Sequence, residues 1–299
     1  MEEAQAPTPE DRGAGSETGS DPAPRSSRAA YVLAHVSDIH FGAIADIRVV
    51  DALVEAINSA DVDVVCLSGD LTQRARHREF SAAQAMIERF TAPVIVVPGN
   101  HDVYAWWSPF KRVFRPLRRY RELITNNLTP TFEQAGALEQ AGLAVLGVNS
   151  AHGRTRKGGY VSSRMRAAMQ AFFGGKPDGT FKVLVLHHHL LRLSALGHHD
   201  VARRATRTLA LARMLGVDLI LCGHLHVSHV EHVEAVGTTR RVVIASAGTA
   251  TSTRGRHAHR GVNFFNIVHV APKQFEVAEQ RFDPEAGRFA EVQRRTFAR

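Results

Sequence analysis

Apolar residues recur along this chain with two different periods. Short, continuous apolar runs rich in β-branched residues fall at Tyr31 to Val36, Val62 to Leu67, Val94 to Val97, Lys182 to Leu186 and Val217 to Leu221, each followed by Gly, Asp, Asn or His. Runs of that length and composition read as strands buried on both faces. Between several of them apolar residues stand at helical spacing: Ile47, Val50, Val54 and Ile57; Phe80, Ala83, Met86 and Ile87; Leu209, Ala212 and Leu215. Strand and helix alternate, which predicts an α/β fold. Past His226 the pattern changes to alternating strands at Ser228 to Ala235, Arg241 to Ala247, Asn263 to Val270, Gln274 to Phe282 and Ala290 to Phe297, with turns at Gly237-Thr238-Thr239 and Ala271-Pro272-Lys273. These are expected to be antiparallel and to complete a second sheet.

The residues that close the apolar runs bring in chemistry. Asp38 and His40 follow the first run, Asp70 the second, Asn100, His101 and Asp102 the third, His187, His188 and His189 the fourth, and His224 and His226 the fifth. Taken singly, Asp and Asn after a strand are ordinary turn residues. In an open α/β sheet, however, the crevice beyond the carboxyl ends of the strands is where polar groups converge on a ligand. Five strand ends that deliver Asp, Asn and His to one edge make a site.

The blocks Asp38-Ile39-His40, Gly69-Asp70, Gly99-Asn100-His101-Asp102, the histidine triplet and Gly223-His224-Leu225-His226 together resemble the calcineurin-like metallophosphoesterase superfamily, from about Ala34 to Thr249. The resemblance implies a four-layer α-β-β-α sandwich. It also implies that Asp38, His40, Asp70 and His226 hold one metal ion while Asp70, Asn100, His188 and His224 hold a second, with Asp70 bridging. Many members carry proline two residues after the fourth-block histidine. Leu190 stands there in this chain, and that alignment selects His188 over His187 as the ligand. Mixed carboxylate, amide and imidazole donors suit two divalent or mixed-valence ions such as manganese, iron or zinc, and exclude a cysteine-only zinc site. Two cations about 3.5–4 Å apart acidify a shared water to hydroxide, the expected nucleophile toward phosphorus. His101 and Asp102 are the expected catalytic pair. His101 would protonate the leaving oxygen or stabilise phosphate charge, and Asp102 would hold its other ring nitrogen.

Composition sets bounds on this reading. The 299 residues are 44% hydrophobic, enough for one sizeable core. Residues 1–29, rich in Ala, Pro, Gly, Ser and Glu, read as a disordered tail ahead of a metallophosphoesterase domain over 30–299. The formal net charge is +8; the first thirty residues carry six acids and three arginines, so the remainder is +11 and suits an anionic substrate. Cys66 and Cys222 both lie in strand patterns, so no disulfide framework is expected. Neither a signal-type apolar segment nor a bilayer-length run is visible, which leads to the expectation of a cytoplasmic protein.

Residues 106–130 read as a basic amphipathic cap insertion. Lys111, Arg112, Arg115, Arg118 and Arg119 recur on one face and Phe110, Val113, Phe114, Leu117, Tyr120 and Ile124 on another, with Pro116 dividing the segment into two short helices. Either the apolar face packs on the domain with the arginines solvated, or the cap holds a second anionic group or rests on anionic membrane lipid. Two further loops contribute candidate substrate contacts, Asn149 and His152 in one and Arg254, with Arg256, His257 and His259, in the other.

Within the superfamily the chain looks most like bacterial class III cyclic-nucleotide phosphodiesterases. The expected function is hydrolysis of a small phosphodiester, with a 3′,5′-cyclic nucleotide as leading substrate. A phospholipid-type or nucleotide-sugar pyrophosphate hydrolase working at a membrane surface is the alternative, and a non-catalytic metal-binding scaffold the alternative of another class. No nucleic acid polymer is expected as a partner, because the basic residues form no long aromatic-interleaved platform.

Overall fold

The computed structural model describes residues 30–44, 46–136, 142–155, 157–192, 199–233, 242–255 and 261–299. The expected tail at 1–29, the turn at 237–239 and the loop residues Arg256, His257 and His259 lie outside the described residues. In chain order the first half comprises β1 (Tyr31–Val36), α1 (Arg48–Ser59), β2 (Val64–Leu67), α2 (His77–Ile87), β3 (Val94–Val96), α3 (Pro109–Phe114), α4 (Arg118–Leu123), β4 (Thr131–Gln134) and β5 (Leu143–Gly147). The second half comprises α5 (Ser163–Phe173), β6 (Phe181–Val185), α6 (Ala205–Met214), β7 (Leu219–Cys222), β8 (His229–Val233), β9 (Val242–Ser246), β10 (Phe264–Val270), β11 (Gln274–Asp283) and β12 (Arg288–Ala298).

These strands form two six-stranded sheets, ordered β12-β11-β10-β1-β2-β3 and β4-β5-β6-β7-β9-β8. Their inner faces meet through Leu33, Val64, Val183, Leu221, Val268 and Phe275, all buried. Helices α1 and α2 cover the outer face of the first sheet through Leu53, Ile57 and Phe80. Helices α5 and α6 cover the second through Met169, Phe173, Leu209 and Ala212. The result is the four-layer α-β-β-α sandwich, and burying each of these Leu, Ile or Phe side chains contributes about 1.5–3 kcal/mol.

The C-terminal strands are divided differently from the expectation. Only β8 and β9 join the second sheet, and β9 runs parallel to β7. Strands β10 to β12 extend the first sheet instead, where β10 pairs antiparallel with β1, Tyr31 opposite Val270. Alternation reports that a strand is half-buried, not which neighbour it pairs with. β9 is buried along its whole length because both the other sheet and the outer helices cover it.

Two short helices do flank Pro116. Of the expected apolar face, Leu117 and Tyr120 are buried, and the Tyr120 hydroxyl donates to the Val96 carbonyl at 3.1 Å. The α3 part differs: Phe110, Val113 and Phe114 are exposed. Two of the arginines are also tied down rather than solvated. The Arg112 guanidinium donates to the carbonyls of Tyr104 and Thr155, and Arg119 donates to that of Ala75. Among the described residues no helix is long and apolar enough to cross a membrane. Cys66 and Cys222 are buried free thiols.

Candidate active site

Both sheets deliver polar residues to one edge. Beyond β1, β2 and β3 lie Asp38, His40, Asp70 and Asn100; beyond β6 and β7 lie His187, His188, His224 and His226. Asp38, His40, Asp70 and His226 each offer a ligand atom within 4.8 Å of the others, and so do His187, His188 and His224. Asp70 joins the two groups. Its Oδ2 is 3.7 Å from His40 Nε2 on one side and 3.3 Å from His187 Nε2 on the other. His187 Nε2 is also 3.3 Å from Asn100 Oδ1, and His226 Nε2 is 3.4 Å from Asp38 Oδ1.

The turns that hold these residues are unusual. Asp38, His40, Asp70, His224 and His226 have φ between +53° and +71°, the left-handed region that costs a non-glycine residue of order 1–3 kcal/mol. The blocks also need glycine for close approach. A Cβ on Gly99 would lie 2.1 Å from Asp70 Oδ1, and one on Gly223 would lie 1.8 Å from Ser37 Oγ and 2.5 Å from Asp38 Oδ2. The outer carboxylate oxygens are already engaged. Asp38 Oδ2 accepts from the Ser37 hydroxyl at 2.7 Å and the His224 N–H at 2.9 Å, and Asp70 Oδ1 accepts from the His101 N–H at 2.7 Å. This leaves Asp38 Oδ1 and Asp70 Oδ2 turned toward the histidines, buried and without hydrogen-bond partners, as are both ring nitrogens of His40 and Nδ1 of His226.

Buried unpartnered donors and acceptors are costly, and their convergence is what a cation would satisfy. The electrostatics of Asp38, Asp70, His224 and His226 agree, while burial at His187 is outweighed, chiefly by Asp70, and its pKa rises to about 9, so that this imidazole gives up a proton to bind a cation. Burial raises the Asp38 and Asp70 pKa values, but His226, His40 and His187 around Asp38, and His187, His101 and His40 around Asp70, together outweigh it and hold both carboxyls low. Burial, reinforced by neighbouring histidines, lowers His224 to about 3 and His226 to about 4, so both imidazoles are neutral and have lone pairs to give. The donor set fits two borderline divalent cations.

Two expectations change at this point. The sequence favoured His188 over His187, and the geometry reverses that order. His187 is anchored through Nδ1 on the Ser68 carbonyl at 2.8 Å and presents Nε2 to Asp70 and Asn100, the arrangement of an oriented metal ligand. His188 remains close to His224, but its Nδ1 is 2.9 Å from Ser150 Oγ and its Nε2 3.0 Å from the Lys157 carbonyl. Asp102 likewise does not hold His101. Its carboxylate accepts the backbone N–H groups of Leu71, Thr72 and Gly99 and the Thr72 hydroxyl, which locks the Asp70 and Asn100 turns together. Burial and the charge of Asp70 push its pKa up to about 6. The His101 ring instead places Nδ1 2.8 Å from the Gln73 carbonyl and Nε2 3.0 Å from Arg254 Nη1. The ring is therefore a neutral tautomer with its proton on Nδ1, and its pKa is lowered first by burial, against the opposing charge of Asp70.

Of the three expected substrate contacts, only Arg254 reaches the site. It lines both a hollow of about 220 Å³ over Asp70, Asn100, His224 and His226 and an adjoining hollow of about 260 Å³ walled by Val103, Ala105, Trp106 and Trp107. Asn149 caps its own turn by accepting the Ala151 N–H, and His152 Nδ1 accepts the Arg154 N–H; neither lines these hollows. Lys157 and His101 line both. Sequence reading missed Lys157, since a lysine in a Gly-rich loop carries no signal of what folds beneath it.

Known proteins resemble this chain in sequence and in fold. The 3′,5′-cyclic adenosine monophosphate phosphodiesterase CpdA of Haemophilus influenzae is 27% identical over 168 residues, 56% of this chain and 55% of that protein. The glycerophosphodiester phosphodiesterase GpdQ of Enterobacter lignolyticus is 27% identical over 210 residues, 65% and 70% of the two chains. The chain thus spans about half the length of the first relative. Among solved structures, the fold is shared with purple acid phosphatase PPD1 of yellow lupin (TM-score 0.65, 11% identity, 91% of this chain and 54% of that one). It is also shared with a dimetal phosphatase of Danio rerio (TM-score 0.60, 12% identity, 90% and 99%). The calcineurin-like phosphoesterase model matches residues 31–228, a span that takes in every block from Asp38 to His226, and the chain belongs to that family.

Proposed function

We propose that this chain is a dinuclear-metal phosphodiester hydrolase, with a 3′,5′-cyclic nucleotide as leading substrate. The observation that carries the reading is the second hollow. It continues from the donor cluster past His101 and Arg254 to an aromatic wall, and so gives room for the second ester arm that a monoester lacks. Trp106 and Trp107 on that wall suit stacking with a nucleobase, and the names of the two relatives support a diester.

Asp38, His40, Asp70 and His226 would hold one cation, and Asp70, Asn100, His187 and His224 the other. Bound there, the pair supplies Lewis acidity, neutralising phosphoryl charge and lowering the pKa of water. Arg254 and Lys157 bring fixed positive charge to the same hollow, where it stabilises the transition state without reorganisation. The Gln73 carbonyl fixes the His101 ring through Nδ1, leaving Nε2 toward Arg254 and the groove. When a phosphate oxygen draws the guanidinium away, the Nε2 lone pair is free to take up a proton from solvent, and the imidazolium so formed passes that proton to the leaving oxygen. An amphipathic, phospholipid-type or nucleotide-sugar substrate is the second reading, favoured by the exposed apolar rim of the same hollow. The complete donor set opposes a scaffold that has lost catalysis.

The test is turnover of bis-p-nitrophenyl phosphate, p-nitrophenyl phosphate and cyclic AMP by manganese-reconstituted protein, with Asp70→Ala as blank. Diester activity absent from the variant supports the proposal. Activity on the monoester alone, or on none, defeats it.

A further inference from the structure

The α3 end of the cap exposes apolar surface that a helix of a water-soluble domain ordinarily buries. Trp106, Trp107, Phe110, Val113 and Phe114 are 68%, 55%, 78%, 46% and 77% exposed. The other exposed large apolar residues among those described, Ile47, Met214 and Val292, are scattered along the chain, so this stretch is a concentration rather than the normal background. Loose packing does not explain it. Arg112 clamps α3 to the carbonyls of Tyr104 and Thr155, and the helix rests so closely on Gly153 that a Cβ there would lie 1.9 Å from the Arg112 carbonyl oxygen. The helix is held firmly with its aromatic residues outward.

The charges along this stretch of chain are of one sign. From Val103 to Arg121 the chain has six cations and no acid. Lys111 and Arg115 are exposed and make no ion pair among the described residues, and Arg74 stacks over Trp107 at 5.9 Å. Aromatic side chains on a short helix flanked by Lys and Arg have the composition of a membrane-interface anchor. We propose that α3 and the two tryptophans ahead of it form a docking face for an anionic lipid bilayer. A second copy of the chain fits less well, since a two-fold contact would set Lys111 and Arg115 against their like. Trp106 and Trp107 also wall the hollow beside His101, so docking would bring the mouth of the groove to the headgroup layer. The inference goes beyond the proposed hydrolysis and does not depend on it.

The chain has only two tryptophans, both in the patch, so its tryptophan emission reports on this face alone. The full chain should show a blue-shifted emission, protection from iodide quenching and co-sedimentation with phosphatidylglycerol-containing vesicles, and little response to pure phosphatidylcholine. Added salt should weaken the effect. A Phe110→Ala/Phe114→Ala variant, with both sites exposed, should keep its melting temperature and lose at least about tenfold in vesicle affinity. Lys111→Glu/Arg115→Glu should remove the preference for anionic lipid. Unchanged emission and no sedimentation with anionic vesicles would overturn the proposal. So would equal binding to both lipids, or a blue shift without vesicles that tracks protein concentration and a dimer mass.

Discussion

Replacing Gly99 by alanine adds one methyl group at the tightest point of the candidate metal centre. Its Cβ would sit 2.1 Å from Asp70 Oδ1, 2.3 Å from the Asp70 backbone nitrogen and 2.7 Å from its Cγ. Ordinary contact needs about 3.4 Å or more, so the Asp70 turn must retreat by roughly 1 Å. The backbone nitrogen is part of the clash, so a rotamer change cannot relieve it. Overpacking of this kind costs about 1–3 kcal/mol, which in a chain this size lowers the melting temperature by roughly 2–10 °C. The larger consequence is positional. Asp70 is the carboxylate shared by the two donor groups, and a misplacement of about 1 Å at a reacting centre costs on the order of a hundredfold in rate. Gly99→Ala is therefore expected to fold, to lose metal at one or both positions by elemental analysis, and to lose about a hundredfold in diester turnover. Retention of both metals with turnover within about twofold of the parent would refute the argument that close approach to Asp70 is what Gly99 provides.

Three other predictions concern individual side chains. His187→Asn should lower metal content, whereas His188→Asn should leave more metal bound, as read by elemental analysis of purified protein; the opposite ranking would restore His188 as the ligand. His101→Asn should reduce turnover by about 10²–10⁴-fold with metal content unchanged, and a large metal loss would show that it acts as a ligand instead. Arg254→Ala, which removes a charged hydrogen-bond donor worth about 1.5–3 kcal/mol, should cost roughly ten- to a hundredfold in kcat/KM, and Arg254→Lys should recover little of it because an ammonium lacks the planar fork.

The donor blocks were legible because each follows an apolar run too short for anything but a strand, so sequence order alone brought Asp38, Asp70, Asn100 and His224 to one edge. Strand partnership was not legible. Nothing in Val242–Ser246 distinguishes a parallel inner strand from an antiparallel one, and nothing in the alternation of β10 to β12 tells that they extend the first sheet rather than the second. Short β4, with half its residues exposed, and α5, whose Met165, Met169 and Phe173 stripe is thin, fell below any periodic signal. His187 and His188 both lie beside His224, and choosing between them needs the position of Ser68, far off in sequence. Asp102 beside His101 suggested a pair, but the turn directs its carboxylate to three backbone N–H groups instead.

The donors are contributed by both halves of the sandwich: Asp38, His40, Asp70 and Asn100 follow strands of one sheet, and His187, His224 and His226 follow strands of the other. A cation pair held between them would act as a rivet across the seam. Saturated a hundredfold above its dissociation constant, each bound ion adds about 2.7 kcal/mol to the folded state. Starved of metal, the protein would open first at this end, where buried donor atoms are left unpartnered and the left-handed turns uncompensated. Its lifetime against proteases in a cell would then follow the supply of metal, so a nutrient shortage would reduce the amount of protein as well as its activity.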